Sequence, residues 1–182
     1  EPVGLVAGAF AQDITPPRFP ITVNGNMADH LATAAHDPLH ARCLVMGNGP
    51  VQVALVTCDS CMIPREIMDS ARRRAAYRTG IPAENILISA THAHSCPTVA
   101  GVFQSDPDPE YVAFLSDRIV DGIVQAWKQR EPAQLGWAVA VEPGQLFNRR
   151  WHLKDGVIGE NPFGKKVDRV RMNPGFQNPD IV

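Results

Sequence analysis

Two histidines separated by one residue, His92 and His94, are the part of the sequence best suited to chemistry. They follow the run from Asn85 to Ala90, whose β-branched and apolar residues predict a short buried strand. In an extended backbone, side chains two residues apart project to the same side. Because α/β sheets bind ligands at the carboxyl ends of their strands, and neutral imidazole is a common zinc ligand, the pair predicts a metal or catalytic site. The alternative is a polar loop whose histidines bond backbone groups.

An acidic residue, Asp59, ends the otherwise apolar run that includes Val51 to Thr57. Burying a carboxylate is costly unless it has a partner. Asp59 is therefore expected at the site, where it would bind substrate or orient a histidine. A helix cap or a turn is the alternative role.

Three further polar residues are candidates for binding substrate. His36 precedes the predicted strand from Ala41 to Met46, and Arg42 is the second residue of that strand. Both side chains could face a cleft. Arg149 follows another predicted strand, and its fork of donors could hold a substrate oxygen or carboxylate. A solvated surface position is the alternative for each of the three.

The four cysteines include one C-x-x-C pair, Cys58 and Cys61, while Cys43 and Cys96 stand apart. Such a pair is typical of a redox site or of half a zinc site. The sequence has no second C-x-x-C that would complete a four-thiolate zinc site. Because cysteine is among the most buried residue types, we predict buried and inert thiols, with a thiol-redox protein as the alternative.

The elements that must position these residues alternate between strands and helices, which predicts an α/β fold with a mixed, partly parallel sheet flanked by helices. Residues 18–39 show little periodicity and predict a long irregular segment of the kind that often carries function. The predicted strands are Gly4 to Phe10, Ala41 to Met46, Val51 to Thr57, Asn85 to Ala90 and Leu135 to Val141, and a hairpin is expected from Trp151 to Ile158. The predicted helices run from Pro64 to about Tyr77 and from Pro109 to about Trp127.

Composition excludes several classes of protein. The 182 residues carry a net charge of -2, without the basic patch and high pI of a nucleic-acid-binding protein. The longest apolar runs are strand-sized, well short of the ~20 residues of a membrane span. We expect one domain over residues 1–182, cut short at its C-terminus. The first residue is Glu, so we also expect that a leader was removed and that the protein is periplasmic or secreted.

Together the motifs resemble the N-terminal catalytic domain of the neutral/alkaline non-lysosomal ceramidase family. Nearly the whole chain takes part, and Thr91-His92-Ala93-His94-Ser95 is the most specific match. The other matching segments, in the order of the family, are Ala7-Gly8-Ala9 with Asp13-Ile14-Thr15-Pro16, His36 through Arg42, Cys58-Asp59, Asn85 through Ser89, and Asn148-Arg149.

The resemblance implies a zinc-dependent amidohydrolase that splits the N-acyl bond of ceramide-like lipids. It implies that His92 is a Zn²⁺ ligand, that His94 and Arg149 are active-site residues, and that Asp59 matches the acid at the end of a family strand. The partner would be a lipid amide, reached through peripheral membrane contact without a transmembrane segment. The family's remaining zinc ligands fall downstream of Val182, so the fragment alone is expected to be inactive.

Two departures from the family pattern leave an alternative open. Cys96-Pro97 follows the histidine motif where the family has Gly-Pro, and Arg150-Trp151 follows Asn148-Arg149 where the family has Ser-Pro. The alternative is a non-catalytic ceramidase-like domain that keeps the fold without the chemistry.

Overall fold

The computed structural model describes residues 4–25, 27–102 and 104–140, together with the backbone of three strands at 150–153, 158–160 and 169–172. The chain divides into two units, Glu1–Gln134 and Leu135–Val182. The first unit carries a five-stranded sheet, a two-stranded sheet of β2 and β3, and two α-helices. The strands of this unit are β1 (Val6–Asp13), β2 (Ile21–Thr22), β3 (Leu31–Ala32), β4 (His40–Gly47), β5 (Gln52–Cys58), β6 (Ile86–Ala90) and β7 (Glu131–Pro132). Its helices are α1 (Arg65–Thr79) and α2 (Pro109–Lys128).

The sheet has the strand order β6-β5-β4-β1-β7, in which β5 and β6 run parallel and the other neighbours run antiparallel. The predicted α/β class with a partly parallel sheet is therefore confirmed. The register pairs Asp13 with His40, Ala41 with Cys58, and Cys58 with Ala90. As a result, the carboxyl ends of β1, β5 and β6 meet the amino end of β4 at one edge, which we call the site edge.

The two helices begin and end where the sequence provides signals. Pro64 directly precedes α1, and Gly80 ends it in the left-handed conformation, where its N–H donates to Ala76 O at 2.8 Å. The Asp108 side chain caps α2 by accepting from the Glu110 N–H at 2.8 Å. One face of α2 is buried against the sheet through a stripe of residues at helical spacing, which includes Tyr111, Leu115, Ile119, Ile123 and Ala126.

Side-chain alternation along β4 decides which face of the sheet each residue joins. Ala41, Cys43 and Val45 are buried on the face that packs against the helices, while Arg42 points away from them. Arg42 is the register partner of Thr57, and Asp59 follows two residues after Thr57. Arg42 and Asp59 therefore lie on the same face, opposite the helices.

Two sequence predictions differ from the structure. The first strand runs from Val6 to Asp13 rather than from Gly4 to Phe10. The strand predicted from Leu135 to Val141 is wrong, because residues 135–140 form no strand. The apolar side chains of that segment, Leu135, Trp137 and Val139, are exposed, so its alternation does not reflect a half-buried strand. The adjacent β7 pairs with the start of β1 instead.

The second unit contains a three-stranded antiparallel sheet of β8 (Arg150–Leu153), β9 (Ile158–Glu160) and β10 (Arg169–Met172), in the order β10-β8-β9. Antiparallel pairing of β8 with β9 confirms the hairpin expected there. Whether the two units belong to the single domain expected from the sequence stays a prediction. Among the described residues, no helix is long and apolar enough to cross a membrane.

Candidate metal and substrate site

Hydrogen bonds beyond the strand ends bring the candidate residues together at the site edge. The Thr91 N–H donates to Cys58 O at 2.9 Å, and the Asp59 N–H donates to His40 O at 2.9 Å. The pairing of β4, β5 and β6 thus continues one residue past the strands. The loop after β5 and the loop after β6 therefore leave the sheet side by side.

His92 is held in an unusual backbone conformation. Its φ of 63° lies in the left-handed region, which is uncommon for residues other than glycine, and a turn follows at His94 and Ser95. The extended backbone expected for the two histidines is therefore wrong. The left-handed residue and the turn nevertheless bring the rings together, edge to face, with centroids 4.7 Å apart.

The ring of His92 is fixed by a main-chain group of the neighbouring loop. Nδ1 of His92 lies 2.9 Å from Cys61 O. A carbonyl oxygen only accepts, so Nδ1 carries the proton and Nε2 keeps the lone pair. Ligating histidines usually donate their other ring N–H to a carbonyl or carboxylate in this way. His92 therefore has the tautomer that a metal ligand needs.

The histidine loop rests on the segment after β2. Val23 forms an antiparallel bridge with Pro97, and the Asn24 N–H donates to Cys96 O at 3.1 Å. Gly25, with a φ of +110°, lies so close that a Cβ built on it would be 2.5 Å from both Cβ and Cγ of His94. No local sequence pattern predicts this contact, because a single glycine between short strands has many possible roles.

Three potential metal donors come together in this loop region. One donor atom from each of Cys61, His92 and His94 lies within 4.8 Å of the others. Cys61 is buried, and both histidines are exposed. Sulfur and imidazole nitrogen are the donors that zinc prefers, so the donor set fits a zinc ion. The sequence identified His92 alone as a ligand, and the C-x-x-C motif was the only signal of Cys61.

Asp59 lies beside the histidine loop and is held by two partners. Its two carboxylate oxygens each accept from Arg42 Nη1 at 2.8 Å, and Oδ2 also accepts from the His40 N–H at 3.0 Å. The Asp59 side chain is 19% exposed, against 57% for Arg42. Asp59 does not cap α1, so the helix-cap alternative is excluded.

A cavity of about 520 Å³ opens next to this ion pair. Arg42 and Asp59 form its polar wall, and Ala93 and Ser95, the residues on either side of His94, line it as well. The segment between β1 and β4, which contains the short strands β2 and β3, supplies most of the apolar wall, which includes Phe19, Ile21, Val23, Ala32 and Leu39. Volumes of 300–1,000 Å³, a mainly apolar wall and a few polar groups are typical of small-molecule sites.

The structure locates one more of the residues expected at the site. His36 lines the same cavity at its surface, where Nδ1 lies 3.1 Å from Asp37 Oδ2 and both side chains are almost fully exposed. Arg149 lies outside the described residues. The structure therefore brings His36, Arg42, Asp59, His92 and His94 to the same edge of the first unit.

The environment of the thiols disfavours redox chemistry. Cys43, Cys58, Cys61 and Cys96 are all free and buried. Burial raises the pKa of Cys43 and of Cys58 to about 12 and that of Cys96 to about 11, and burial also raises the pKa of Cys61. A redox-active thiol needs a lowered pKa, because the thiolate is the nucleophile.

The fold of the chain is similar to that of two solved ceramidase structures. One is neutral ceramidase from Pseudomonas aeruginosa, with a TM-score of 0.73 and 20% identical residues over 82% of this chain. The other is a ceramidase complexed with C2, with a TM-score of 0.71 and 22% identity over 81% of this chain. The match covers 25% of each ceramidase, so the chain spans about a quarter of their length.

The resemblance inferred from the motifs is thereby confirmed at the level of the fold. No protein-family model and no curated protein sequence matches the chain. The structural match places the chain's fold with that of the neutral ceramidases.

Proposed function

We propose that the chain is the N-terminal part of the catalytic domain of a zinc-dependent amidohydrolase that splits the N-acyl bond of ceramide-like lipids. The observation that carries this proposal is the arrangement of the His92 loop. Cys61 O fixes the Nδ1–H of His92, and the next residue, Ala93, lines a cavity with one polar and one largely apolar wall. Similarity of fold to the neutral ceramidases supports the same reaction class.

His92 would be a zinc ligand in this proposal, with Nε2 as its available donor atom. When bound, zinc would act as a Lewis acid toward the amide carbonyl and would make water a stronger acid. The family resemblance implies that the metal's other ligands would come from parts of the intact protein outside this chain. A catalytic zinc normally has three protein ligands, so we expect the present chain to be inactive by itself.

His94 takes the role of proton carrier, because its ring contacts that of His92 and is open to solvent. It would donate a proton to the leaving nitrogen or accept one from water. Asp59 and Arg42 would position the polar head of the lipid, while the apolar wall would hold part of its hydrocarbon. His36, at the surface of the cavity, would contact the substrate as it enters.

The proposal extends to the setting in which the enzyme acts. A lipid amide is reached at a membrane surface, so we expect peripheral contact and a location outside the cytoplasm, periplasmic or secreted. Fractionation of cells that express the full-length protein would test this.

Zinc content and amide hydrolysis of the full-length protein test the proposed roles. We expect about one zinc per chain, and we expect His92→Ala to abolish both zinc binding and activity. His94→Ala should keep most of the zinc and lower turnover by ~10²–10⁴-fold. The control is His30→Ala, which changes an exposed histidine outside both the group of Cys61, His92 and His94 and the cavity lining, and which should alter neither zinc content nor turnover.

Two results would contradict this assignment. Equal zinc loss in the His92 and His94 variants would show that the roles are wrongly divided. Full-length protein that binds no zinc and cleaves no amide would favour the non-catalytic ceramidase-like domain.

A further inference from the structure

The thiol of Cys61 is a metal donor that the proposed function does not use. Its Sγ lies 3.9 Å from Nδ1 of His92, and it belongs to the three-donor group with His92 and His94. The proposed function uses only the carbonyl oxygen of Cys61, as the acceptor that fixes the His92 ring. The buried sulfur close to two solvent-exposed imidazoles therefore has no role in the proposed function.

The separations suit a single ion bound by all three side chains. Zn–S bonds of ~2.3 Å and Zn–N bonds of ~2.0–2.1 Å place two tetrahedral donors about 3.3–3.6 Å apart. The Sγ–Nδ1 distance of 3.9 Å is only slightly longer, and the whole group lies within 4.8 Å. Small rotations of the two solvent-exposed imidazoles would close such gaps once His92 gives up its hydrogen bond to Cys61 O.

Metal binding through Nδ1 excludes the hydrogen bond that Nδ1 now makes. That nitrogen donates its proton to Cys61 O, and a protonated nitrogen has no lone pair for a metal. His92 therefore has two alternative states. In one, Nδ1 bonds the carbonyl and Nε2 is available to a metal, and in the other, Nδ1 joins Sγ on a different ion.

We propose that Cys61 Sγ, His92 Nδ1 and one ring nitrogen of His94 form a second binding site, for a thiophilic divalent cation such as Cd²⁺ or excess Zn²⁺. Binding replaces the S–H bond with an S–metal bond and releases the thiol proton to solvent, while the Nδ1 proton of His92 moves through solvent to Nε2, with no change of oxidation state. The preference for soft ions follows from the thiolate donor. One consequence rests on the proposed function: a cation in the second site would remove His92 and His94 from catalysis and inhibit the enzyme.

Titration of the 182-residue chain with Cd²⁺ tests the site without any need for activity. We expect one equivalent to bind and to produce the ultraviolet charge-transfer absorption of a cadmium–thiolate bond. Cys61→Ser should abolish this absorption and weaken binding more than ~100-fold, a larger loss than removal of an outer-shell group causes. His94→Ala should weaken binding while keeping the thiolate absorption.

The matched control is Cys96→Ser, which removes another buried thiol near the same loop but outside the three-donor group. It should leave both the affinity and the absorption unchanged. The proposal fails if Cys61→Ser binds Cd²⁺ as tightly as the original chain, or if the absorption disappears in Cys96→Ser instead. Because the readout is binding alone, a full-length protein that lacks amidase activity would overturn the proposed function without affecting this result.

Discussion

At the scale of single residues, Gly25 is the position where a missing side chain shapes the site. An alanine there would be strained by the φ of +110° and would place its Cβ 2.5 Å from the His94 side chain. We expect Gly25→Ala to lower the free energy of unfolding by about 1–3 kcal/mol and to displace the His94 ring. Chemical denaturation and the NMR signals of the histidine rings would measure the two effects.

Gly101→Ala is the control for this prediction. A Cβ at Gly101 would meet Pro107 Cδ at 3.6 Å, an ordinary van der Waals contact, and the backbone there is not left-handed. The control should change stability by no more than ~0.5 kcal/mol. If both variants unfold alike and the His94 signal stays in place, Gly25 does not position the histidine loop.

Arg149 carries a prediction that rests on the sequence resemblance, because it lies outside the described residues. If its fork of donors holds a substrate oxygen, lysine cannot reproduce the two parallel bonds. Arg149→Lys should then cost nearly as much amide hydrolysis as Arg149→Ala in the full-length protein. Arg150→Ala is the neighbouring control and should matter little. If Arg150→Ala loses most of the amide hydrolysis while Arg149→Ala stays nearly normal, the substrate-binding residue is Arg150 and the assignment is wrong by one residue.

At the scale of elements, α2 approaches the sheet closely at Gly8 on β1. A Cβ there would collide with the carbonyl oxygen of Ala126 and would lie 2.8 Å from Arg130 N and 2.9 Å from Gln129 C. These are backbone atoms that cannot rotate away. Gly8→Ala should therefore push the end of α2 from the sheet and destabilise the fold by at least ~2 kcal/mol in a denaturant titration.

The matched control is Gly4→Ala, because a Cβ on Gly4 would have no atom within 4 Å. We expect it to unfold at the same denaturant concentration as the original chain. Equal stability of the two variants would mean that α2 does not pack as tightly on β1 as the structure indicates.

Sequence patterns predict these elements well where the signal is local. Pro64 and Gly80 mark the ends of α1, and the three- and four-residue spacing of Leu115, Ile119 and Ile123 predicts the buried face of α2. The pattern from Leu135 to Val141 misleads, because alternation does not show whether a neighbouring strand edge is available. The site is predicted only in part for a related reason. The two-residue spacing finds His92 and His94, but Cys61 and Gly25 reach them through tertiary contacts that have no local signal.

At the scale of the whole molecule, buried thiols should lower the free energy of unfolding as the pH becomes alkaline. The ordinary pKa of a thiol is 9.0, and burial raises it to about 12 for Cys43 and Cys58 and to about 11 for Cys96. As the pH rises above ~9, the unfolded chain loses these protons while the folded chain retains them. The unfolded state then binds fewer protons, so the free energy of unfolding falls until the pH passes the raised pKa values.

Denaturant unfolding measured from pH 8 to pH 11 would test this dependence, because each thiol contributes a slope of up to ~1.4 kcal/mol per pH unit. Cys58→Ala should be less stable than the original chain near neutral pH, because it leaves a cavity, and should show a shallower alkaline slope. Val45→Ala, which also removes a fully buried side chain but no titrating group, should lower stability by a similar amount at every pH and keep the original slope. If the two variants have equal slopes, the thiols are not the groups whose protonation stabilises the fold.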